Sequence, residues 1–252
     1  MKRPNCSPFV SALLVGLCLS SIALAQRAPA PPEGVTLRGA TSTPRPPLFF
    51  REEWKKVPHE TPITQQYVSN PNLELKLYGP GAGGTDSEHT LNINYRGGLD
   101  DVAFIWSGMT EGNWALTLRE KNSYVDLSGP LTKIRWRVLE SGFHLLRPVL
   151  KLADGTYMVG DHTESVSNDW RISEFALADV HWFKLDPKYV YEAPTLDGSA
   201  GYGLIMNPDL KRVDEIGFTD LTRGSGHGAG GSSRVAWIEV YGYPVSRGGA
   251  SK

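Results

Sequence analysis

The sequence predicts an all-β fold, an antiparallel β-sandwich of jelly-roll type in a single domain, and three observations predict it. Short runs of alternating apolar and polar residues recur along the chain. Gly, Pro, Asn and Asp punctuate them, and no apolar stripe at helical spacing persists for three turns.

The chain opens with a leader. Lys2 and Arg3 precede an apolar run from Phe9 to Leu24 that closes on Ala23-Leu24-Ala25, a small-x-small cleavage pattern. Residues 1–25 therefore read as a secretory signal peptide. The run is short for a membrane span, and the large Leu17 before Cys18 argues against lipidation. Both cysteines, Cys6 and Cys18, lie in this leader, so the mature chain is expected to hold its fold without disulfides or thiolate metal sites. Losing Lys2 and Arg3 leaves about 24 basic residues against 27 acidic ones, a balance that speaks against nucleic acid as partner. Residues 26–47, rich in proline, read as a semi-extended tether. The domain is expected over residues 48–245, with 246–252 as a tail.

Inside the domain the alternating runs are LELKLYG, HTLNINYRG, VAFIWSG, WALTLRE, SYVDLSG, KIRWRV, HLLRPVLKLADGTYMVGD, DWRISEFAL, VDEIGFTDL and VAWIEVYG. In KIRWRV, period two places Ile134, Trp136 and Val138 on one face and Lys133, Arg135 and Arg137 on the other. Asp154-Gly155 suits a two-residue hairpin turn. Pairing outward from it sets Leu152 opposite Tyr157, Lys151 opposite Met158, and Arg147 opposite His162. Arg147, Lys151 and His162 then share a face and offer the cationic row of KIRWRV a neighbour, while Tyr157 turns to the other side.

The segment NDWRISEFAL, followed by VDEIGFTDL, a Gly-rich loop and the terminal VAWIEVYG, resembles the closing strands of galactose-binding-domain-like jelly rolls, as in carbohydrate-binding modules of secreted bacterial proteins. The resemblance covers residues 123 to 242. It implies two antiparallel sheets with sugar bound on a concave face or in the loops at one end. The N-terminal part, PLFFREEWKKVPHETPITQQYVSNPNLELKLYG, matches no motif of such modules.

Carbohydrate recognition needs flat apolar plates with polar edges, and the chain has seven tryptophans and ten tyrosines to supply them. Trp136 and Trp237 keep step with the core residues around them, and Trp170 heads a strand; these read as packing. Trp106 and Trp114 flank the turn-rich SGMTEGN, and Trp182 follows His181 after a polar stretch. These three are the platform candidates, weighed against ordinary core burial. Arg135, Arg137, Arg147 and Lys151, with His162 nearby, are the candidate polar contacts, since guanidinium forks match the carboxylate of an acidic sugar. The simpler reading is a solvated strand face paired with Glu140, Glu164 or Asp169.

Glycoside hydrolysis would require two opposed carboxyl groups. Asp100, Asp101, Glu111, Asp161, Glu164 and Asp169 are available, but their spacing selects no pair. A lyase grouping of His162 with Arg147, Arg135 and Tyr157 is weakened by the hairpin register. His59, His89, His144 and His181 lack metal-ligand spacing, and no cofactor is expected, with a structural calcium ion left open because backbone carbonyls and one or two Asp residues suffice for it. The Gly-rich stretches GPGAGGTDS and RGSGHGAGGSS lack the ending of a phosphate-binding loop and read as connections, with Arg223 and His227 in the second.

The expectation is a secreted or periplasmic protein that binds a poly- or oligosaccharide without cleaving it, with no nucleic-acid partner and no membrane insertion. A glycan-cleaving enzyme and a non-catalytic envelope adhesion module are the alternatives. The oligomeric state is left open.

Overall fold

The computed structural model describes residues 44–85, 89–97, 101–108, 110–192, 203–221 and 231–248. They belong to the compact unit Thr43–Lys252. The leader, most of the tether, Asp100, Arg223 and His227 lie outside the described residues.

The described strands are, in order, β1 Leu48–Glu52, β2 Thr61–Pro62, β3 Leu73–Tyr78, β4 Asn92–Arg96, β5 Val102–Trp106 and β6 Trp114–Glu120. They continue with β7 Ser123–Asp126, β8 Lys133–Gly142, β9 Leu146–Leu152, β10 Tyr157–Gly160, β11 Arg171–Ala176 and β12 Trp182–Asp186. The last are β13 Tyr191–Glu192, β14 Leu204–Ile205, β15 Val213–Asp220, β16 Gly231–Tyr241 and β17 Tyr243–Ser246. Two single 3-10 turns, Gln65–Tyr67 and Leu177–Asp179, are the helical elements among the described residues.

All pairings of these strands are antiparallel, and they form two sheets. The smaller, of seven strands, runs β11-β8-β16-β5-β4-β2, with β1 added along the far half of β16. The larger, of ten strands, runs β13-β12-β10-β9-β15-β6-β3, with β14 on β12 and the β7-β17 pair on β15. The predicted all-β sandwich is thus what the chain forms.

Alternation sorts each strand between the core and the outside. On β8 every second residue from Ile134 to Glu140 is buried while Lys133, Arg135 and Arg137 stay half-buried. The apolar halves of both sheets meet in one core. The smaller sheet supplies Ile93, Ile134, Trp136, Val138, Val235 and Ile238, and the larger supplies Leu73, Leu116, Leu118, Leu150, Ile216 and Phe218. Both Trp114 and Trp182 belong to this core, at 1% and 2% exposure, which corrects their reading as platforms.

The β9-β10 hairpin differs from its expected register. Lys151 stands opposite Tyr157, Leu150 opposite Met158 and Val149 opposite Val159. The turn closes through Gly155 N–H to the Leu152 carbonyl and Leu152 N–H to the Thr156 carbonyl, with φ at Gly155 of +92°. The loop is therefore three residues long, a tight turn ending in a left-handed glycine, rather than the two-residue turn that Asp-Gly suggests. A slip of one residue reverses every face assignment. Tyr157 joins the face of Lys151 and Arg147, and His162 leaves it.

At one end of the sandwich the core turns polar. Glu140, the last inward residue of β8, and Asp220, the last residue of β15, are both buried and are bridged by Ser233 Oγ at 2.5 and 3.2 Å. His144 pairs with Asp220 from the side. One hydroxyl proton cannot serve two carboxylates, so a proton on Glu140 completes the chain from Glu140 to Ser233 to Asp220. Burial, reinforced by the charges of Asp220 and Glu164, drives the Glu140 carboxyl well above its usual range, in agreement with that arrangement. Nearby, Glu164 is buried too. Burial alone would raise its pKa, but hydrogen bonds from His162, Ser173 and Trp136 overcome this and hold it at about 2.

A raised folded-state pKa stabilises the fold below the unfolded value and loses that stabilisation as pH rises through the gap between them. For Glu140 the loss begins near pH 4.5 and runs at up to about 1.4 kcal/mol per pH unit until the folded-state pKa is reached. Glu140→Gln keeps a neutral donor toward Ser233. Urea titrations are expected to show the variant gaining on the native protein as pH rises above 5, with the difference closing at pH 4. A pH-independent difference would show that Glu140 is ionised in the fold.

Candidate functional site

The outer face of the smaller sheet collects aromatic rings and guanidinium groups. Strict alternation along β16 would send Trp237 inward with Val235. Instead Val235 pairs with Val138 and Trp237 with Arg137, leaving Ala236 as an extra residue. This β-bulge turns Trp237 to the outer face, where it forms a second apolar cluster with Phe104 and Ala236, packed against Val102, Trp106 and Trp170. Trp237 is buried packing, as expected, but in this outer-face cluster rather than in step with Val235 in the main core, where Trp136 of β8 is fully buried.

Cations cover this cluster. The Arg51 guanidinium lies 4.6 Å and that of Arg135 5.8 Å from the Trp237 ring centroid, and Arg137 lies 5.2 Å from that of Trp170. Trp170 meets Phe104 edge-on at 5.5 Å. Trp106 is half-buried, and its indole N–H is without a partner among the described residues. Glu239 neutralises part of the row by pairing with Arg51 and, at 3.0 Å, with Arg135. Glu174 takes Lys133 at 3.0 Å and Arg135 at 3.2 Å. Two of the three cations in KIRWRV are thus paired, but with Glu174 and Glu239 rather than with the Glu140, Glu164 or Asp169 that the solvated-face reading named.

Each end of the face opens into a cleft. Beside Lys133 and Tyr241 lies one of about 600 Å³, floored by Pro46, Pro130 and Leu131 and edged by Glu174. Its size falls in the range of small-ligand sites. Lys133 Nζ stands 5.0 Å from the Tyr241 ring centroid there, and Leu131 is 44% exposed. At the opposite end a cleft of about 180 Å³ is lined by Arg96, Arg234, Phe104 and Trp170 among others.

The expected grouping of Arg135, Arg137, Arg147, Lys151 and His162 does not form. β8 belongs to the smaller sheet and β9 to the larger, so Arg147 and Lys151 lie on the other outer face of the sandwich. Lys151 Nζ there reaches Glu215 Oε1 at 2.7 Å, and Arg147 pairs with Glu192. The buried Glu215 also accepts from Thr117 Oγ1 at 2.6 Å and from Tyr78 Oη at 2.8 Å, and Tyr157 Oη donates to Tyr78 Oη at 3.0 Å. Burial and the hydrogen bonds to Tyr157 and Glu215 push the Tyr78 phenol upward. Burial works against the charge of Lys151, yet its bond to Glu215 raises its pKa on balance. This face is an ion-paired seam.

His162 belongs to neither face. It stacks on Phe175 at 3.8 Å between centroids and bonds Glu164 at 2.7 Å, so the lyase grouping with Arg147, Arg135 and Tyr157 is not assembled. The carboxylates considered for hydrolysis are dispersed as well. Asp101 pairs with Lys56, Glu111 with His89, Asp161 with His181 and Glu164 with Arg171. Among the described residues no group of three or more His, Cys, Asp or Glu side chains is placed to hold a metal ion.

Sequence reasoning missed Tyr241, Leu131 and Glu174 at the large cleft and Arg96 and Arg234 at the small one. Lys133 was visible as the first residue of the cationic row. Glu174 and Tyr241 reach the large cleft through pairing of β8 with β11 and β16, and Arg96 and Arg234 meet through pairing of β5 with β4 and β16.

No family model matches the chain, and no curated protein matches it. Among solved structures it is similar to a family 11 carbohydrate-binding module of a cellulosomal cellulase of Clostridium thermocellum, at 14% identity over 80% of this chain and 96% of that one, TM-score 0.39. A family 11 module from the same organism, in complex with a β-1,3-1,4-mixed-linked tetrasaccharide, shows 17% identity over 74% and 97%, TM-score 0.41. A family 29 carbohydrate-binding module shows 12% identity over 68% and 90%, TM-score 0.34.

The two tryptophans in register on β8 and β16 separate core from surface. Trp136→Ala opens a cavity in the core and is expected to cost about 3–5 kcal/mol in urea denaturation. Trp237→Ala is expected to cost clearly less, because only its outer-face cluster and two cation–π contacts are lost. Equal costs would place Trp237 in the core.

Proposed function

We propose that the protein is exported and binds a poly- or oligosaccharide non-covalently on the outer face of the smaller sheet. The observation that carries this reading is the 600 Å³ cleft, where an aromatic ring and apolar floor residues stand beside Lys133, Glu174 and Arg45. Sugars present apolar C–H faces edged by hydroxyls, and that combination of surfaces suits them. The neighbouring tryptophans and arginines extend the same chemistry along the sheet. Export is supported by the leader pattern of residues 1–25. Among the described residues no helix is long and apolar enough to cross a membrane.

An acidic ligand held jointly by Arg135, Arg137, Arg147 and Lys151 draws no support from their placement on two faces. Glycan cleavage draws none from the two clefts of this face either: hydrolysis asks for two carboxyl groups, and each cleft is lined by one, Glu174 or Asp169.

Affinity gel electrophoresis of the mature chain in neutral and acidic polysaccharides tests the proposal. Retention is expected on at least one polysaccharide, with Tyr241→Ala weakening it by roughly tenfold, in line with the loss of one stacking ring. Tyr189→Ala, an exposed tyrosine of the β12-β13 connection, is expected to leave it unchanged. The proposal is overturned if nothing retains the protein, or if both variants behave alike. Release of reducing ends during the assay would establish cleavage instead.

A further inference from the structure

The small cleft at the far end of the same face has a charge pattern that stacking on a sugar does not explain. Arg234 enters it from β16, opposite Trp106 on β5, and Arg96 enters it from the end of β4, opposite Val102. Phe104 and Trp170 wall it, and Asn168 and Asp169 stand at its rim.

Arginines elsewhere in the fold are mostly matched by carboxylates. Arg51 and Arg135 share Glu239, Arg119 and Arg247 share Asp214, Arg147 has Glu192 and Arg171 has Glu164. Among the described residues Arg96 and Arg234 make no ion pair with a carboxylate, and Arg137, stacked over the far wall, makes none either. Asp169 is turned to its own neighbourhood, accepting the Trp170 backbone N–H at 2.7 Å. The carboxyl of Glu140 lies on the inner face of β8, where it is bonded to Ser233 Oγ and makes no ion pair with Arg234. Arg234 is half-buried; burial first and repulsion from Arg96 next lower its pKa, against an upward pull from the charge of Glu140. A half-buried guanidinium beside an exposed one, neither in an ion pair with a carboxylate among the described residues, is an arrangement that a shared anion favours. The cleft volume, about 180 Å³, is smaller than a whole-ligand pocket and suits one charged substituent.

We propose that Arg96 and Arg234 form an anion subsite that grips a carboxylate or sulfate group carried by a saccharide lying along the outer face, with Trp170 beside the sugar that bears it and the buried Phe104 behind it. The anion site stands on the arginine pair itself; only its saccharide source rests on the function proposed above. Guanidinium forks bind either oxyanion through paired N–H donors.

The test uses the mature chain at constant ionic strength, with thermal midpoints followed during titration with sodium sulfate, a uronate-bearing oligosaccharide and a neutral oligosaccharide of equal length. Sulfate and the uronate are expected to raise the midpoint by several degrees, and the uronate is expected to bind at least tenfold more tightly than its neutral counterpart. Arg96 is exposed, so Arg96→Gln is expected to fold normally and to abolish both responses, as Arg234→Gln does. Tyr241→Ala is expected to keep the sulfate response while weakening saccharide binding. A midpoint unmoved by sulfate and uronate, or moved equally in the native protein and in Arg96→Gln, overturns the subsite. A response to sulfate without any preference for the uronate overturns the saccharide source and leaves an inorganic-anion site. Failure of the native protein to bind either oligosaccharide while the sulfate response persists would count against the function proposed above and not against this anion site.

Discussion

The pairing of β8 with β16 is the contact on which the rest of the structure depends. Along its length, from Lys133 opposite Tyr241 to Gly142 opposite Gly231, it sets which residues enter the core and which meet solvent. Ile134, Trp136 and Val138 go inward with Val235, Ile238 and Val240. The single extra residue, Ala236, changes the phase of β16 halfway along. Without that change Trp237 would compete for core volume already filled by Trp136. With it, Trp237 becomes the centre of an outer cluster between Arg51 and Arg135.

The same strand pair explains why the polar end of the sandwich is tolerated. The inward row of β8 ends in Glu140 rather than in another apolar residue, and β16 brings Ser233 against it. From the other sheet β15 brings Asp220, and His144 closes the group. Buried carboxyls without partners would cost several kcal/mol. Sharing protons through Ser233, and drawing Trp136, His162 and Arg171 onto Glu164, lowers that cost. These polar contacts tie the two sheets with a directionality that apolar packing lacks.

The two outer faces follow different chemistry. On the larger sheet Lys151, Tyr78, Thr117 and Glu215 satisfy one another, and no cation there is left in want of a partner around Glu215. On the smaller sheet the charges are only partly matched: Lys133 and Arg135 are ion-paired, while among the described residues Arg96, Arg137 and Arg234 make no ion pair with a carboxylate. The binding proposed for the smaller sheet rests on such unfinished pairing beside open volume.

What the sequence determined by itself is local. The alternation of KIRWRV, the strand positions along the domain and the all-β class follow from side-chain periodicity and turn residues, which need only near neighbours in the chain. The two faces of β8 were legible for that reason, and so was the burial of Trp136. The tertiary structure decided everything that requires knowing which strand lies beside which. It placed β9 in the other sheet from β8 and so parted Arg147 and Lys151 from Arg135 and Arg137. It lengthened the hairpin turn by one residue, which carried Tyr157 across. It inserted Ala236 as a bulge that moved Trp237 outward, and it drew Arg96 and Arg234 from strands distant in sequence to one cleft. Each of these depends on long-range pairing and on one-residue shifts of register, and a period of two is blind to both because it repeats identically whichever neighbour a strand acquires.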